Sequence, residues 1–235
     1  MLNIIVQLSK YLMIVLIIMY TYLCFSIFGY YDPDKKDRCL KKQNVLMFVM
    51  HLTAFLVMFL VKLDIKILAL YLMQVTLLGG TIVLYMFIYP RVSRLVVNNM
   101  CMLLSIGFIM ITRLNYDKAA KQYLIAAGGL VLCMVIPVII RKFKLLSEWR
   151  IFYGVLGIVS LAAVVVVGKV SNGAMLGFTV AGINIQPSEL VKIVFVFFVA
   201  SSFKRSTEFR DLVITTVVAA FHVLILVISK DLGAA

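Results

Sequence analysis

Charged side chains are scarce in this sequence: only 14% of its 235 residues are Asp, Glu, Lys or Arg, whereas 64% are hydrophobic. A soluble domain of this length has no core large enough to bury that much apolar surface. A chain that crosses the bilayer many times has lipid to cover its outer surface. The composition therefore predicts an all-α, multi-pass membrane protein. The apolar runs are continuous, and they are longer than the alternating segments of about ten residues that build a β-barrel.

Cysteine and histidine are also rare, with four and two residues respectively. The cysteines show no CxxC or other ligand-like spacing, so the sequence predicts neither a disulfide framework nor a zinc-type metal site. His51 and His222 lie far apart, each inside an apolar run. We interpret both as buried packing residues with satisfied hydrogen bonds rather than as a proton relay.

Acidic residues are fewer than basic ones, and the formal net charge is +13. The Lys and Arg residues form short clusters between apolar runs. That arrangement is typical of topology signals and of contacts with lipid headgroups. We therefore predict that the basic residues contact membrane lipids and that the protein has no nucleic-acid partner.

Eight apolar runs are long enough to cross a bilayer. They lie at 11–29, 45–61, 67–90, 95–112, 121–140, 151–168, 188–203 and 211–229. The first is too long for the hydrophobic part of a signal peptide, and no A-x-A site follows it, so we read it as a retained span. The more basic loops alternate with the less basic ones, which predicts cytoplasmic loops at 31–44, 91–94, 141–150 and 204–210 and an outer loop at 169–187.

The stretch INIQPSELVKIVF places polar residues directly before the seventh apolar run. Pro187 suits the first turn of a helix, with Gln186 as the N-cap and Glu189 at the third position, a weak form of the capping box. Glu189 and Lys192 are three residues apart and share one helix face, so they are predicted to pair. One interpretation is a capped and salt-bridged helix start at the outer membrane interface.

A second interpretation is an outward-facing polar cavity lined by Gln186, Glu189 and Lys192. Ionisable residues at membrane depth usually face a cavity or a partner. The preceding segment, GKVSNGAMLGFTVAGIN, is rich in Gly and Asn and is expected to fold back into the membrane as a re-entrant or half-helix segment. Such a cavity suits a polar headgroup whose lipid tail stays in the bilayer.

The end of the chain, ISKDLGAA, repeats this pattern of charges after an apolar run. One interpretation is an interfacial loop. The other is a broken helix, in which Asp231 caps a new helix that starts at Leu232.

Several segments, in order, resemble the SEDS family (shape, elongation, division and sporulation), which includes FtsW and RodA. NGA at 172–174 is followed at the family's spacing by QPSE at 186–189 and then Lys192, and KDLG at 230–233 is similar to the family's PDLG. The segment 102–122 also resembles the first family span and the loop after it. The resemblance implies that 95–235 form the N-terminal half of a SEDS-type domain, and that 1–94 add a region of about three spans.

The function implied by this resemblance is peptidoglycan glycosyl transfer on lipid II during elongation, division or sporulation. The site of action would be the bacterial plasma membrane. The 4-hydroxyl of an incoming lipid II attacks the anomeric carbon of the growing glycan, and undecaprenyl pyrophosphate leaves. That chemistry needs a general base and positive charge for the pyrophosphate. A divalent cation, Mg²⁺ or Mn²⁺, is compatible with the second role. The family's usual partner is a transpeptidase, a class B penicillin-binding protein.

The resemblance also implies the site residues. Substrate binding is assigned to Gln186, Ser188, Glu189, Lys192, Asn172, Gly173 and Asp231, with Pro187 and Gly233 as structural members of the motifs. No catalytic residue is assigned, because the family's catalytic aspartate belongs to a large extracellular loop later in the domain. The chain is therefore expected to be a truncated half. Leu176-Gly177 also stand where the family commonly has Arg-Trp, which removes a cation that could meet pyrophosphate.

Two other functions remain open from the sequence. An outward-open cavity with Glu189 and Lys192 also suits a flippase or ion-coupled carrier of lipid-linked substrates, although the inverted repeat typical of carriers is not found. Alternatively, the half-domain serves as a membrane scaffold that docks the transpeptidase.

Overall fold

The computed structural model describes residues 2–143, 146, 148–167, 169–171, 174–180, 183–206 and 208–231, with the backbone alone at 2, 164, 166, 167, 169–171, 174–180 and 183–185. Helices dominate these residues: Leu2–Ser26 (α1), Pro33–Lys62 (α2), Ile65–Ile88 (α3), Arg94–Leu114 (α4), Tyr116–Lys142 (α5), Arg150–Val167 (α6), Pro187–Arg205 (α7) and Phe209–Ile228 (α8). Each helix overlaps one of the eight predicted apolar runs, but α1 and α2 begin well before theirs. Helix α2 begins at Pro33, so most of the predicted loop 31–44 is helical. The predicted all-α, multi-pass membrane fold is confirmed.

Six of the described helices, α1 to α5 and α8, are long and apolar enough to cross a membrane. Helix α6 has 18 residues, and it is apolar after Arg150. Helix α7 carries Glu189 in its first turn and Lys204 and Arg205 in its last turn. Its length of 19 residues corresponds to about 28 Å, close to the thickness of the hydrocarbon core.

Aspartates begin the second and third helices. The side chain of Asp32 accepts a 2.9 Å hydrogen bond from the Asp34 backbone N–H, and Pro33 takes the first helical position of α2. The side chain of Asp64 accepts from the Lys66 backbone N–H, also at 2.9 Å, at the start of α3. Each carboxylate satisfies a backbone donor that the helix itself leaves unpaired. The left-handed C-cap at Leu63 and the Asp64 cap explain why α2 ends and α3 begins within a two-residue connection.

The chain divides into two compact units, Met1–Ile136 and Pro137–Ala235. In the first unit, α1 packs on α2, and α2, α3 and α4 pack on one another. Their shared core contains large side chains that are almost completely buried: Met47, Met50, Leu78, Cys101 and Phe108.

A seam of buried polar side chains crosses the core of the first unit. The Asn98 amide on α4 donates to the Leu40 carbonyl oxygen at 3.1 Å and to Gln43 Oε1 at 3.0 Å, both on α2. Further along the same two helices, His51 Nδ1 lies 2.9 Å from Ser105 Oγ. Asn98 and Ser105 are seven residues apart, so they lie on the same face of α4. These hydrogen bonds join α2 and α4 in one register.

The second unit packs α6 against both α7 and α8, and α7 against α8. Leu161, Val191 and Leu226, one from each helix, form its buried apolar cluster. The chain direction alternates, so the end of α6, the start of α7 and the end of α8 lie at one end of the unit. The predicted site residues occupy this end.

The segment between α6 and α7 corrects one expectation. A re-entrant or half-helix segment was predicted here, but the described residues form three short strands: Lys169–Ser171 (β1), Ala174–Val180 (β2) and Ile183–Ile185 (β3). They pair as an antiparallel sheet in the order β1-β2-β3, with Ser171 opposite Ala174 and Val180 opposite Ile183. Val, Ile and Thr favour strands, and the sequence Asn-Gly, which joins β1 to β2, is a strong hairpin signal. The small sheet thus replaces the expected helical element.

Candidate functional site

The end of α8 places Asp231 in a defined position. The Asp231 backbone N–H donates to the Leu226 carbonyl at 3.0 Å, and the Lys230 N–H donates to the Val227 carbonyl at 3.0 Å. This pair of bonds is the Schellman motif, and Lys230 takes its left-handed position with φ of 60°. The motif ends the helix and turns the chain, so Asp231 becomes fixed and buried at 8% exposure.

Asp231 accepts hydrogen bonds from two side chains at the start of α7. Ser188 Oγ donates to Asp231 Oδ2 at 2.7 Å, and Gln186 Nε2 donates to the same oxygen at 3.0 Å. Ser188 is 6% exposed, so its hydroxyl and the carboxylate are both shielded. The structure therefore joins the QPSE and DLG segments through one carboxylate oxygen. The positive end of the α7 dipole favours a negative charge at this place.

The predicted capping box is not formed. Gln186 is the N-cap of α7 and Pro187 takes the first turn, as expected, but no side-chain cap hydrogen bond is present. The Gln186 side chain instead donates from Nε2 to Asp231 Oδ2, and a carboxylate is a strong acceptor. Glu189 Oε1 accepts from Lys192 Nζ at 2.8 Å, so the predicted pairing on one helix face is confirmed.

The Glu189–Lys192 pair lies on the outside of the unit. Their side chains are 60% and 47% exposed respectively. Lys192 and Ser188 also line a cavity of about 100 Å³, together with His222 and apolar side chains of α6, α7 and α8. This cavity is smaller than the roughly 300–1,000 Å³ of ligand pockets. Of the three residues predicted to line a polar cavity, Lys192 lines this one, whereas Gln186 and Glu189 do not.

Metal binding finds no support in the side chains of the described part of the chain. No group of three or more His, Cys, Asp or Glu side chains there is placed to hold a metal ion. The nearest carboxylates are Asp231, whose Oδ2 already accepts two hydrogen bonds, and Glu189, which is paired with Lys192. The described side chains therefore do not fit a Mg²⁺ or Mn²⁺ site.

Three predicted site residues, Asn172, Gly173 and Gly233, lie outside the described residues. The seven substrate-binding assignments stay predictions as a set.

Both histidines are buried, at 0% for His51 and 3% for His222. Only one ring nitrogen of each is paired: Nδ1 of His51 with Ser105 Oγ, and Nδ1 of His222 with the Val218 carbonyl at 2.8 Å. Nε2 of each ring has no hydrogen-bond partner among the described residues. The expectation that both histidines are fully satisfied was therefore wrong for one nitrogen in each ring.

An ion pair at the opposite end of the second unit escaped the sequence analysis. Arg150, the first residue of α6, contacts Asp211 in the first turn of α8 at 2.9 Å. The Arg150 side chain is only 9% exposed. The basic residues of the loop 141–150 predict membrane topology, but they give no partner for Arg150. The one available hint was an acidic residue in the first turn of a helix that follows a basic loop.

The fold and the site together are those of a multi-pass α-helical membrane protein with a hydrogen-bonded carboxylate between two helix ends. Comparison with known families then identifies it more closely. Residues 92–235 match the FTSW_RODA_SPOVE family, described as "Cell cycle protein". This match covers more than half of the chain, so the chain belongs to that family, and the resemblance to SEDS proteins is confirmed. It is a multi-pass protein of the bacterial membrane.

One related protein is "Probable peptidoglycan glycosyltransferase FtsW" of Pseudomonas fluorescens (strain SBW25). It is 29% identical over 124 residues, which cover 46% of this chain and 30% of the relative. The chain therefore matches less than a third of the length of that relative. No solved structure matches this chain. The predicted boundary between 1–94 and 95–235 stays a prediction.

Proposed function

We propose that this chain takes part in peptidoglycan glycosyl transfer, and that it contributes part of the wall that holds the headgroup of lipid II. The observation that carries this proposal is the bonding of Gln186 and Ser188 to Asp231. Ser188 and Gln186 lie 43 and 45 residues before Asp231 in the chain, in a different family-like motif, and both donate to its buried carboxylate. Membership of the cell cycle protein family supports the assignment to cell-wall synthesis.

In this proposal Asp231 is a positioning residue. Its carboxylate holds the start of α7 against the end of α8 through Ser188 and Gln186, so it gives the end of the unit a rigid frame. The frame fixes the start of α7, where Glu189 lies in the first turn and Lys192 in the second. A base for the attacking hydroxyl is not assigned among the described residues.

The exposed pair next to this frame is proposed to meet the substrate. Lys192 Nζ supplies positive charge to the pyrophosphate, where negative charge develops as the glycosidic bond to the carrier breaks. Glu189 accepts hydrogen bonds from sugar hydroxyls and keeps Lys192 directed along the helix face. Both side chains remain accessible to a ligand because they are about half exposed. No step is assigned to a metal ion.

Lipid II polymerisation by purified protein in liposomes tests the proposal. The 235-residue chain is compared with a form extended through any coding sequence that follows it, each with and without a class B penicillin-binding protein. Polymer formed by either chain supports glycosyl transfer. Lipid II binding without polymer in every arm contradicts it and favours the carrier or scaffold functions.

Matched variants locate the substrate contacts. Glu189→Gln and Lys192→Met remove one charge each from an exposed pair, whose loss costs the fold little, within roughly 0.5 kcal/mol. Glu208→Gln is the control, because Glu208 is exposed at the other end of α7 and α8 and its side chain makes no cap hydrogen bond. We expect at least a tenfold loss of lipid II turnover for the first two variants and none for the control. Equal activity in all three contradicts the assigned contacts.

A further inference from the structure

Two cavities share lining residues at the end of the second unit that is opposite to the proposed headgroup site. The start of α6, the end of α7 and the start of α8 meet here. One cavity, of about 360 Å³, is lined mostly by apolar side chains of all three helices, including Val155, Phe198 and Ile214. The other, of about 300 Å³, is lined by Glu148, Arg150, Ser201, Lys204 and Arg205. Arg150 and Arg205 line both, so the two cavities adjoin.

The second cavity carries an excess of positive charge. Its lining contains three basic side chains and one acidic side chain. Arg150 is held in place by its 2.9 Å contact with Asp211, which also lines the apolar cavity. A guanidinium has five N–H donors, so the contact with Asp211 leaves donors of Arg150 for a second acceptor. Arg205 is exposed beside it. A fixed and an accessible guanidinium together suit a phosphate group.

The apolar cavity opens on the outer surface of these helices. Val155 and Ile214 line it and are 56% and 42% exposed. A soluble phosphate would use only the basic cavity, whereas an acyl chain would fill the apolar one. Both cavities together match a molecule that has an anionic head and a hydrocarbon tail.

We propose that these adjoining cavities bind an anionic phospholipid. The phosphate contacts Arg150 and Arg205, and an acyl chain lies along the apolar cavity. The basic loops 141–150 and 204–210 predict that this end faces the cytoplasm, where anionic headgroups attract Lys and Arg near the membrane surface. This site lies at the opposite end of α7 from Ser188, and it does not depend on the function proposed above.

The test measures thermal unfolding of the purified 235-residue chain in a neutral detergent. Phosphatidylglycerol is expected to raise the unfolding temperature more than phosphatidylcholine does, and sodium phosphate at the same concentration is expected to have no effect. Native mass spectrometry should show one phosphatidylglycerol retained in preference to phosphatidylcholine.

Two pairs of variants locate the site. Arg205→Gln removes a proposed phosphate contact, and Arg210→Gln removes the same charge from an exposed arginine that lines neither cavity. Val155→Phe fills the apolar cavity, and Val159→Phe makes the same change one turn along α6 at an exposed position outside it. We expect the first member of each pair to lose at least half of the phosphatidylglycerol shift and the second to keep it.

Three results would overturn the proposal. Equal stabilisation by phosphatidylcholine would show that the negative charge of the headgroup does not contribute to binding. Stabilisation by sodium phosphate equal to that by phosphatidylglycerol would show that the acyl chain does not contribute. The cavities would then be a site for free anions. Equal losses within each pair of variants show that the lipid acts elsewhere on the surface.

Discussion

Gly157 of α6 packs directly against the imidazole of His222 of α8, so closely that a Cβ at position 157 would overlap His222 Nε2. The ring also contacts Phe195 and Phe198 of α7, whose centroids lie 5.2 and 6.3 Å away. Its Nδ1 is also paired with the Val218 carbonyl. The ring therefore has little room to retreat, and the absence of a side chain at Gly157 allows the close approach of α6 and α8.

Gly157→Ala is predicted to destabilise the second unit by about 1–3 kcal/mol, the usual cost of inserting a methyl group into a filled core. Thermal unfolding in detergent measures the change. Gly129→Ala is the control, because a Cβ at Gly129 in α5 meets nothing within 4 Å. There the helix propensity of Ala should make the change neutral or stabilising. Similar destabilisation by both variants would disprove the proposed overlap, whereas rescue of Gly157→Ala by His222→Ala would establish it.

The bond between Ser188 and Asp231 should appear as an energetic coupling between the ends of α7 and α8. Ser188→Ala removes a donor from a buried carboxylate and is expected to cost about 1.5–3 kcal/mol. Combined with Asp231→Ala, it should cost about 1–2 kcal/mol less than the sum of the single changes. Reversible unfolding in denaturing detergent gives all four free energies.

Ser202→Ala supplies the comparison within the same helix. Ser202 is also buried, but among the described residues its hydroxyl bonds only to the Phe198 carbonyl one turn before it, at 2.8 Å. Its replacement should be nearly neutral, and it should be additive with Asp231→Ala. If the Ser188 and Asp231 changes are equally additive, the network does not join the two helices.

Features that depend on neighbouring residues in the sequence were predictable, whereas contacts between residues far apart in the sequence were not. The eight apolar runs became helices because length and composition act along the chain. Glu189 and Lys192 paired because positions three apart meet on any helix. The hydrogen bond from Gln186 to Asp231 joins residues 45 positions apart in the chain. Arg150 and Asp211, 61 residues apart, were missed for the same reason.

The strands of 169–185 illustrate a different difficulty. Their sequence contains the hairpin signal Asn-Gly between residues that favour strands, yet its place between two apolar runs favoured a segment folded back into the membrane. Local sequence preference and membrane context pointed to different structures, and the described residues of this segment form strands.

Lys230 adopts a left-handed backbone conformation that glycine adopts at less cost. Its φ is 60° at the end of α8, and its side chain is exposed. Lys230→Gly is therefore predicted to stabilise the protein by up to about 1 kcal/mol, since the strain of about 1–2 kcal/mol is relieved while the unfolded chain gains freedom. Lys142→Gly, in the last turn of α5, should instead destabilise by about 1 kcal/mol. A loss of stability in both variants would argue against the Schellman motif.

Asn98 is predicted to set the register of α2 against α4 in the first unit. It is 2% exposed and donates to both Leu40 and Gln43. Asn98→Leu should cost about 1 kcal/mol, the usual value for hydrogen bonds between membrane helices, because it leaves Gln43 Oε1 without this donor. Val96→Leu, at an exposed position of the same helix, should be neutral.

Adding Gln43→Leu to Asn98→Leu should recover part of the loss, since removal of both polar partners leaves neither one unsatisfied. A further loss in the double variant would show that Gln43 acts through another contact, for which its 3.6 Å approach to Cys24 Sγ is the first candidate.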